Sequence, residues 1–208
     1  ELDRLDTLPK EPPVFTPAIR AAMREEARRY FAQVLESGGS WQTLLTARYG
    51  IVDRQLAAFY GQPAPTGVTF EKVDWPEGRR TGLLTLGALL ATHGKPSGSS
   101  PVHRGAVIRA RMLCQPPPPP PPNVNATPPP EQAGRTTRDR FVAHSANPSC
   151  AGCHSMLDPL GFALEHFDGI GQERALDNGL AIDATGKLLA TTPADATFDG
   201  ARSLSEAI

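Results

Sequence analysis

The chain has 208 residues, 39% of them hydrophobic and 21% charged, which suits a globular protein of one domain or two small ones. Its formal net charge of −1 removes any general electrostatic case for binding nucleic acid or an anionic membrane. No apolar run approaches the roughly 18 residues of a membrane span, and Glu1-Leu2-Asp3-Arg4 lacks the basic and apolar regions of a signal peptide. The chain is therefore expected to begin either after a removed targeting segment or inside a longer polypeptide, the second being favoured because Ser205-Glu206-Ala207-Ile208 also breaks off within a helical pattern.

The first helix is expected to open at Thr16-Pro17, a good cap and first-turn pair. Ile19, Met23, Ala27, Tyr30, Phe31, Val34 and Leu35 then recur at steps of three and four until Gly38-Gly39. Arg24, Glu25, Glu26, Arg28 and Arg29 read as its solvated face. Ser40 can cap a second helix carrying Trp41, Leu44 and Leu45, and a third is expected over 52–60. Residues 61–81 read as irregular, with a strand at Val68-Thr69-Phe70. A buried helix over 83–91, a polar loop over 93–100 and a helix over 102–113 complete an all-α unit spanning 1–114.

Residues 115–135 form a proline-rich strap. Pro116 to Pro122 are consecutive and Pro128-Pro129-Pro130 follow. Lacking amide donors, such a run takes the polyproline II form, rising ~3.1 Å per residue. It reads as a stiff strut over the surface more readily than as a ligand for a proline-recognition domain. The sequon Asn125-Ala126-Thr127 carries little information by itself.

Thr136-Thr137 can cap a helix running to His144 and ending at Asn147-Pro148. A loop holding Cys150-Ala151-Gly152-Cys153-His154 is expected next. Two cysteines separated by two residues, with histidine immediately after, is the attachment pattern of a c-type haem. Each thiol adds to one haem vinyl group, and the adjoining imidazole meets the iron from below. A redox dithiol belongs near a βαβ pattern and a zinc site needs a second ligand pair; neither context is evident. The expected cofactor is therefore one covalently attached haem per chain, held by Cys150 and Cys153 and ligated by His154. Haem attachment consumes two of the three cysteines, leaving Cys114 as a buried small hydrophobe or a thiol with an outside partner.

Residues 161–168 read as a short helix whose Phe162, Leu164 and Phe167 cover the porphyrin. Residues 181–188 read as two short strands round a turn, and a helix begins at Ser203. The fold class is mainly α: a helical N-terminal unit, a polyproline strut over 115–135, a small cytochrome-like haem segment over 136–175, and a hairpin-bearing start of a further domain over 176–208.

Residues 79–113, the polyproline that follows, and residues 144–171 together resemble a bacterial family. The phrases 100–105 and 158–168 are specific to it. These are the large cytochrome-associated proteins of planctomycetes, myxobacteria and relatives. Residues 14–113 resemble the family's helical domain, 101–174 its third planctomycete-cytochrome-type domain, and 176–208 the start of a small domain that normally continues further. The resemblance implies an exported, haem-carrying, electron-transferring protein with no defined substrate.

His154 is the expected proximal ligand. The methionine that usually supplies the sixth position is lacking, because none follows Met156, and Met156 stands too near His154 to reach the other face. His93, His103, His144, His166 and Met112 remain, with His103 and His144 foremost. Arg104 and Arg109 are candidate partners of the haem propionates or surface ion-pair residues. Asp158 reads as a cap or turn residue, and Glu165 and Asp168 as solvated helix charges; a calcium site built from these acids would need further oxygen ligands. The leading expectation is an electron-transfer module of the periplasm or cell surface, more than a catalyst. Its partners would be other redox proteins or haem domains, with a homo-oligomer or larger complex possible. The alternatives are a haem enzyme with an open distal face, doing peroxidase-like or oxygen chemistry, and a structural surface-assembly protein.

Overall fold

A computed structural model describes residues 2–9, 12–75, 78–95, 98–119, 129–146, 148–191 and 196–208, with only the backbone of His144, Pro148 and Ser149. Helix α1 (Pro17–Glu36) opens as expected, with the Thr16 hydroxyl accepting from the Ile19 amide at 3.3 Å. Its buried stripe is Ile19, Ala22, Met23, Glu26, Ala27, Tyr30 and Val34, while Phe31 and Leu35 face solvent. Glu26, read as part of a solvated face, is 1% exposed. Tyr60 Oη donates to its carboxylate at 2.6 Å, and the Arg80 guanidinium lies over the Tyr60 ring at 3.7 Å. A polar partner from a later segment, invisible in local periodicity, permits the burial.

Helix α2 (Trp41–Thr46) carries a full capping box between Ser40 and Thr43. The chain then forms strand β1 (Tyr49–Val52) before helix α3 (Arg54–Phe59), which Asp53 caps through the Leu56 amide. The expected helix over 52–60 thus loses its start to a strand. Strand β2 (Glu71–Asp74) pairs antiparallel with β1, Tyr49 opposite Asp74 and Val52 opposite Glu71. The expected strand at 68–70 lies three residues too early, and Val68 is 86% exposed. The unit is therefore not all-α, because the hairpin covers part of its core.

The apolar run over 83–91 is broken in two, a 3-10 turn (Leu83–Thr85) and helix α4 (Gly87–Thr92). Leu86 between them has an extended ψ of 131°. Helix α5 (Pro101–Val107) leads into a π-helical turn (Ile108–Met112). Cys114 follows at φ 54° and is exposed, which removes its reading as a buried hydrophobe. Pro116 to Pro119 are outside helix and strand and mostly exposed. The rest of that proline run, Pro128 and the sequon lie outside the described residues.

Helix α6 (Thr137–Ser145) is capped by a Thr136–Asp139 box, and helix α7 (Pro148–Phe162) follows. The expected loop around residues 149–154 is instead continuous helix. Helix α6 does end just ahead of the expected Asn147-Pro148, at Ser145, but Pro148 then starts the next helix, in the first-turn position where its missing N–H is no loss. The helix expected over 161–168 is only the end of α7 followed by turns. Asn178 (φ 52°) and Gly179 (φ 79°) turn strand β3 (Leu176–Asp177) into β4 (Leu180–Ala181), the Asn-Gly pair supplying the two left-handed positions such a turn requires. Strand β5 (Thr185–Lys187) pairs with β6 (Thr197–Asp199), not with 181–182 as the pattern over 181–188 suggests. Helix α8 (Gly200–Ala207) starts earlier than Ser203 and packs on α2. Leu204 and Ala201 share one hydrophobic core with Leu5, Met23, Leu90 and Leu164, so boundaries at 115 and 176 do not divide the core.

Helices α5 and α7 pack backbone against backbone. A Cβ on Gly105 would fall on the Leu157 carbonyl oxygen, and one on Gly161 on the Pro101 carbonyl oxygen. Both obstacles are backbone and cannot rotate away. Arg104 enters between these elements fully buried. Its Nη1 donates to the carbonyls of Leu164 (3.2 Å) and Phe167 (2.7 Å), and Nη2 to those of Leu90 (3.1 Å) and Asp168. Burial pulls its pKa down to about 10, still well above neutrality.

Gly105→Ala and Gly161→Ala are each expected to lower unfolding free energy by about 1–3 kcal/mol through backbone overpacking, measured by urea denaturation. Burial also pushes the Glu26 carboxyl up to about 7 from an ordinary 4.5. The folded state therefore holds this proton where the unfolded state has released it, so stability falls as pH rises from about 4.5 to about 7. At roughly 1.4 kcal/mol per pKa unit the loss is about 3 kcal/mol. Glu26→Gln is expected to flatten that slope in melts across the same range, and an unchanged slope would refute the assignment.

Candidate functional site

Helix α7 carries Cys150, Cys153 and His154 at relative positions 0, 3 and 4, which 3.6 residues per turn gather toward one side. Asp158 lies one further turn on, buried at 4% exposure. His154 Nδ1 stands 3.0 Å from both Oδ1 and Oδ2 of Asp158. A carboxylate accepts, so an imidazole that donates to it through Nδ1–H keeps the Nε2 lone pair for a metal. The sequence pattern reads Asp158 as a turn residue. Once the motif is seen to be helical, its i,i+4 spacing from His154 is the signal that identifies it.

His154 and Asp158 line a cavity of about 960 Å³ that is chiefly apolar. That is at the upper end of the range for pockets that hold small organic ligands. Helix α7 supplies one wall through Ala151, His154, Asp158 and Phe162, and α6 another through Arg138, Val142 and Ser145. The third comes from β5 and β6, with Gly186, Lys187 and Phe198, and from Ser203 of α8. Arg138 stacks over the Phe162 ring at 4.7 Å and donates to the carbonyls of Asp183 (3.2 Å) and Thr185 (2.6 Å), fixing the α6 wall to the strands. The half-buried Cys150 and Cys153 stand beside this lining and not within it.

The remaining expected site residues are placed elsewhere. Pro101, Arg104, Gly105 and Ile108 form the buried side of α5 and its π-helical extension, which turns the exposed His103 outward, and His103 does not line the cavity. His93 and Met112 line a separate cavity of about 250 Å³. His166 borders a third, near Arg79, with Nδ1 3.3 Å from the Arg174 carbonyl; burial lowers its pKa. The backbone of His144 is on α6, while its side chain lies outside the described residues.

Arg104 and Arg109 are not open to a propionate. Arg104 is spent on four carbonyls, and Arg109 donates to those of Leu189 (2.6 Å) and Ala190 (3.5 Å). The cations at the cavity are instead Arg138 and Lys187. Glu165, read as solvated, is buried at 2% exposure against Arg174 Nη2 at 2.7 Å, and burial raises its pKa. Asp168 caps its own turn, accepting from the amides of Ile170 (3.0 Å) and Gln172 (2.8 Å).

No group of three or more His, Cys, Asp or Glu side chains converges among the described residues. A haem asks less of the protein, since the porphyrin supplies the equatorial ligands and the chain only the axial ones. Two thiols and a histidine on one helix, that histidine oriented by a buried carboxylate, and an adjoining apolar cavity make a set that fits this group.

Residues 80–177 match the family model PSCyt3, Protein of unknown function (DUF1588), and residues 1–62 match PSD4, Protein of unknown function (DUF1592). The first match begins ahead of the expected 101 and so takes in α4 and α5 together with α7. No curated protein and no solved structure matches the chain.

Proposed function

We propose that this chain is a monohaem c-type cytochrome module that exchanges electrons outside the cytoplasm. The observation that carries the reading is the His154–Asp158 pair at 3.0 Å, beside both motif cysteines on one helix and facing an apolar cavity. Buried carboxylates commonly hold the second nitrogen of metal-ligating histidines. The PSCyt3 match, whose name denotes a planctomycete cytochrome c type, supports the same class.

In this reading Cys150 and Cys153 tether the group and His154 Nε2 takes the iron. The haem, when bound, supplies one-electron exchange at that iron. The buried Phe162 and Phe198 exclude water from its edge, and Arg138 and Lys187 stand where propionate charge would be met. One motif admits one haem per chain, so onward transfer requires another redox protein or haem domain as partner. Thioether attachment takes place on exported chains, which puts the module in the periplasm or at the cell surface.

A second reading, a haem enzyme with an open distal face, draws on the same cavity: among its described lining residues His154 is the only histidine and there is no methionine. Expression with a haem-attachment system is expected to give a chain that keeps haem through denaturing electrophoresis, and Cys150→Ser with Cys153→Ser to abolish that. A low-spin ferrous spectrum unmoved by carbon monoxide supports electron transfer. Rapid carbon monoxide binding would favour the enzyme.

A further inference from the structure

Asp158 does more than share a cavity wall with His154. Its carboxylate is bifurcated about Nδ1, with both oxygens at 3.0 Å, and its side chain is only 5% exposed. Both residues ride on α7, whose backbone is locked against α5 at Gly105 and Gly161, so their separation is set by one rigid element. A hydrogen bond to an ionised acceptor is roughly twice as strong as one to a neutral carbonyl, and exclusion of water strengthens it further. Electron density drawn toward Nδ1–H is returned at Nε2, which makes the imidazole a more basic ligand. A more basic ligand favours the more highly charged ferric ion over the ferrous one.

We propose that Asp158 is the residue that sets the potential of this centre, holding His154 in the Nδ1–H tautomer with imidazolate character and so lowering the reduction potential. This rests on the haem reading given above. Asp158 is a positioning residue and touches neither iron nor porphyrin in this account.

The test is a potentiometric titration of the holoprotein and its Asp158→Asn variant, followed by optical absorbance. The amide keeps the shape and leaves a neutral acceptor for Nδ1–H, so the variant is expected to retain haem and to have a higher midpoint potential. An equal or lower potential overturns the proposal. If the variant does not fold, electron paramagnetic resonance of the low-spin ferric wild type decides. A narrower spread of g values than neutral imidazole ligation gives supports the proposal, and an equal or wider spread overturns it. Absence of covalent haem in the wild type would instead sink the cytochrome reading itself, so the two failures are distinguishable.

Discussion

The buried guanidinium of Arg104 is the interaction on which the rest of the molecule depends. Four carbonyl oxygens from two stretches of chain point at it: Leu90 in α4, and Leu164, Phe167 and Asp168 beyond α7. The carbonyls of Leu164 and Asp168 also accept the amides of Phe167 and Gly171, so the guanidinium reinforces turns that already bond internally and serves the Phe167 carbonyl as well; a buried acceptor left without a donor costs about 1–3 kcal/mol. Arginine suits the position because its fork presents several donors in fixed directions and stays charged at neutrality even when burial lowers its pKa. Lysine could not serve so many acceptors with the same geometry.

Around that clamp the helices can approach closely. Gly105 is the residue after Arg104, and Gly161 lies just before the turns that Arg104 holds, so clamp and contact reinforce one another. Arg174 extends the arrangement by joining the buried Glu165 to Asp177 at 2.7 Å each. These contacts brace the C-terminal end of α7. Its earlier turns bear the motif and form one cavity wall, with the others supplied by α6 and by segments up to Ser203. Rigid support behind a helix is what a centre needs if its ligand is to keep one orientation. Residues contributed by the α1–α4 region thus bear on the chemistry without reaching the site.

Much of the local structure is legible because it has local causes. Thr16-Pro17, Ser40 and Thr136 announce helix starts through caps that act within three residues. The motif is legible because covalent chemistry fixes its spacing. Other features escape because their causes are distant in sequence. Glu26 looks solvated until Tyr60, 34 positions later, donates to it. Asn178-Gly179 is a strong hairpin signal, yet β5 finds its partner across residues 197–199. Arg104 and Arg109 look like surface charges because nothing nearby reveals the carbonyls they serve.

The sequence by itself determined which residues could bear the chemistry, namely Cys150, Cys153 and His154, since their identity and spacing depend on bonds and not on folding. Within these 208 residues no methionine follows Met156. Only the tertiary structure decided that the motif sits on a helix, that Asp158 is the partner of His154, and that His103 is not among the residues lining the cavity. The reason is that burial and hydrogen-bond satisfaction are settled by which segments meet, and α7 meets α5, from which a proline-rich stretch separates it in sequence.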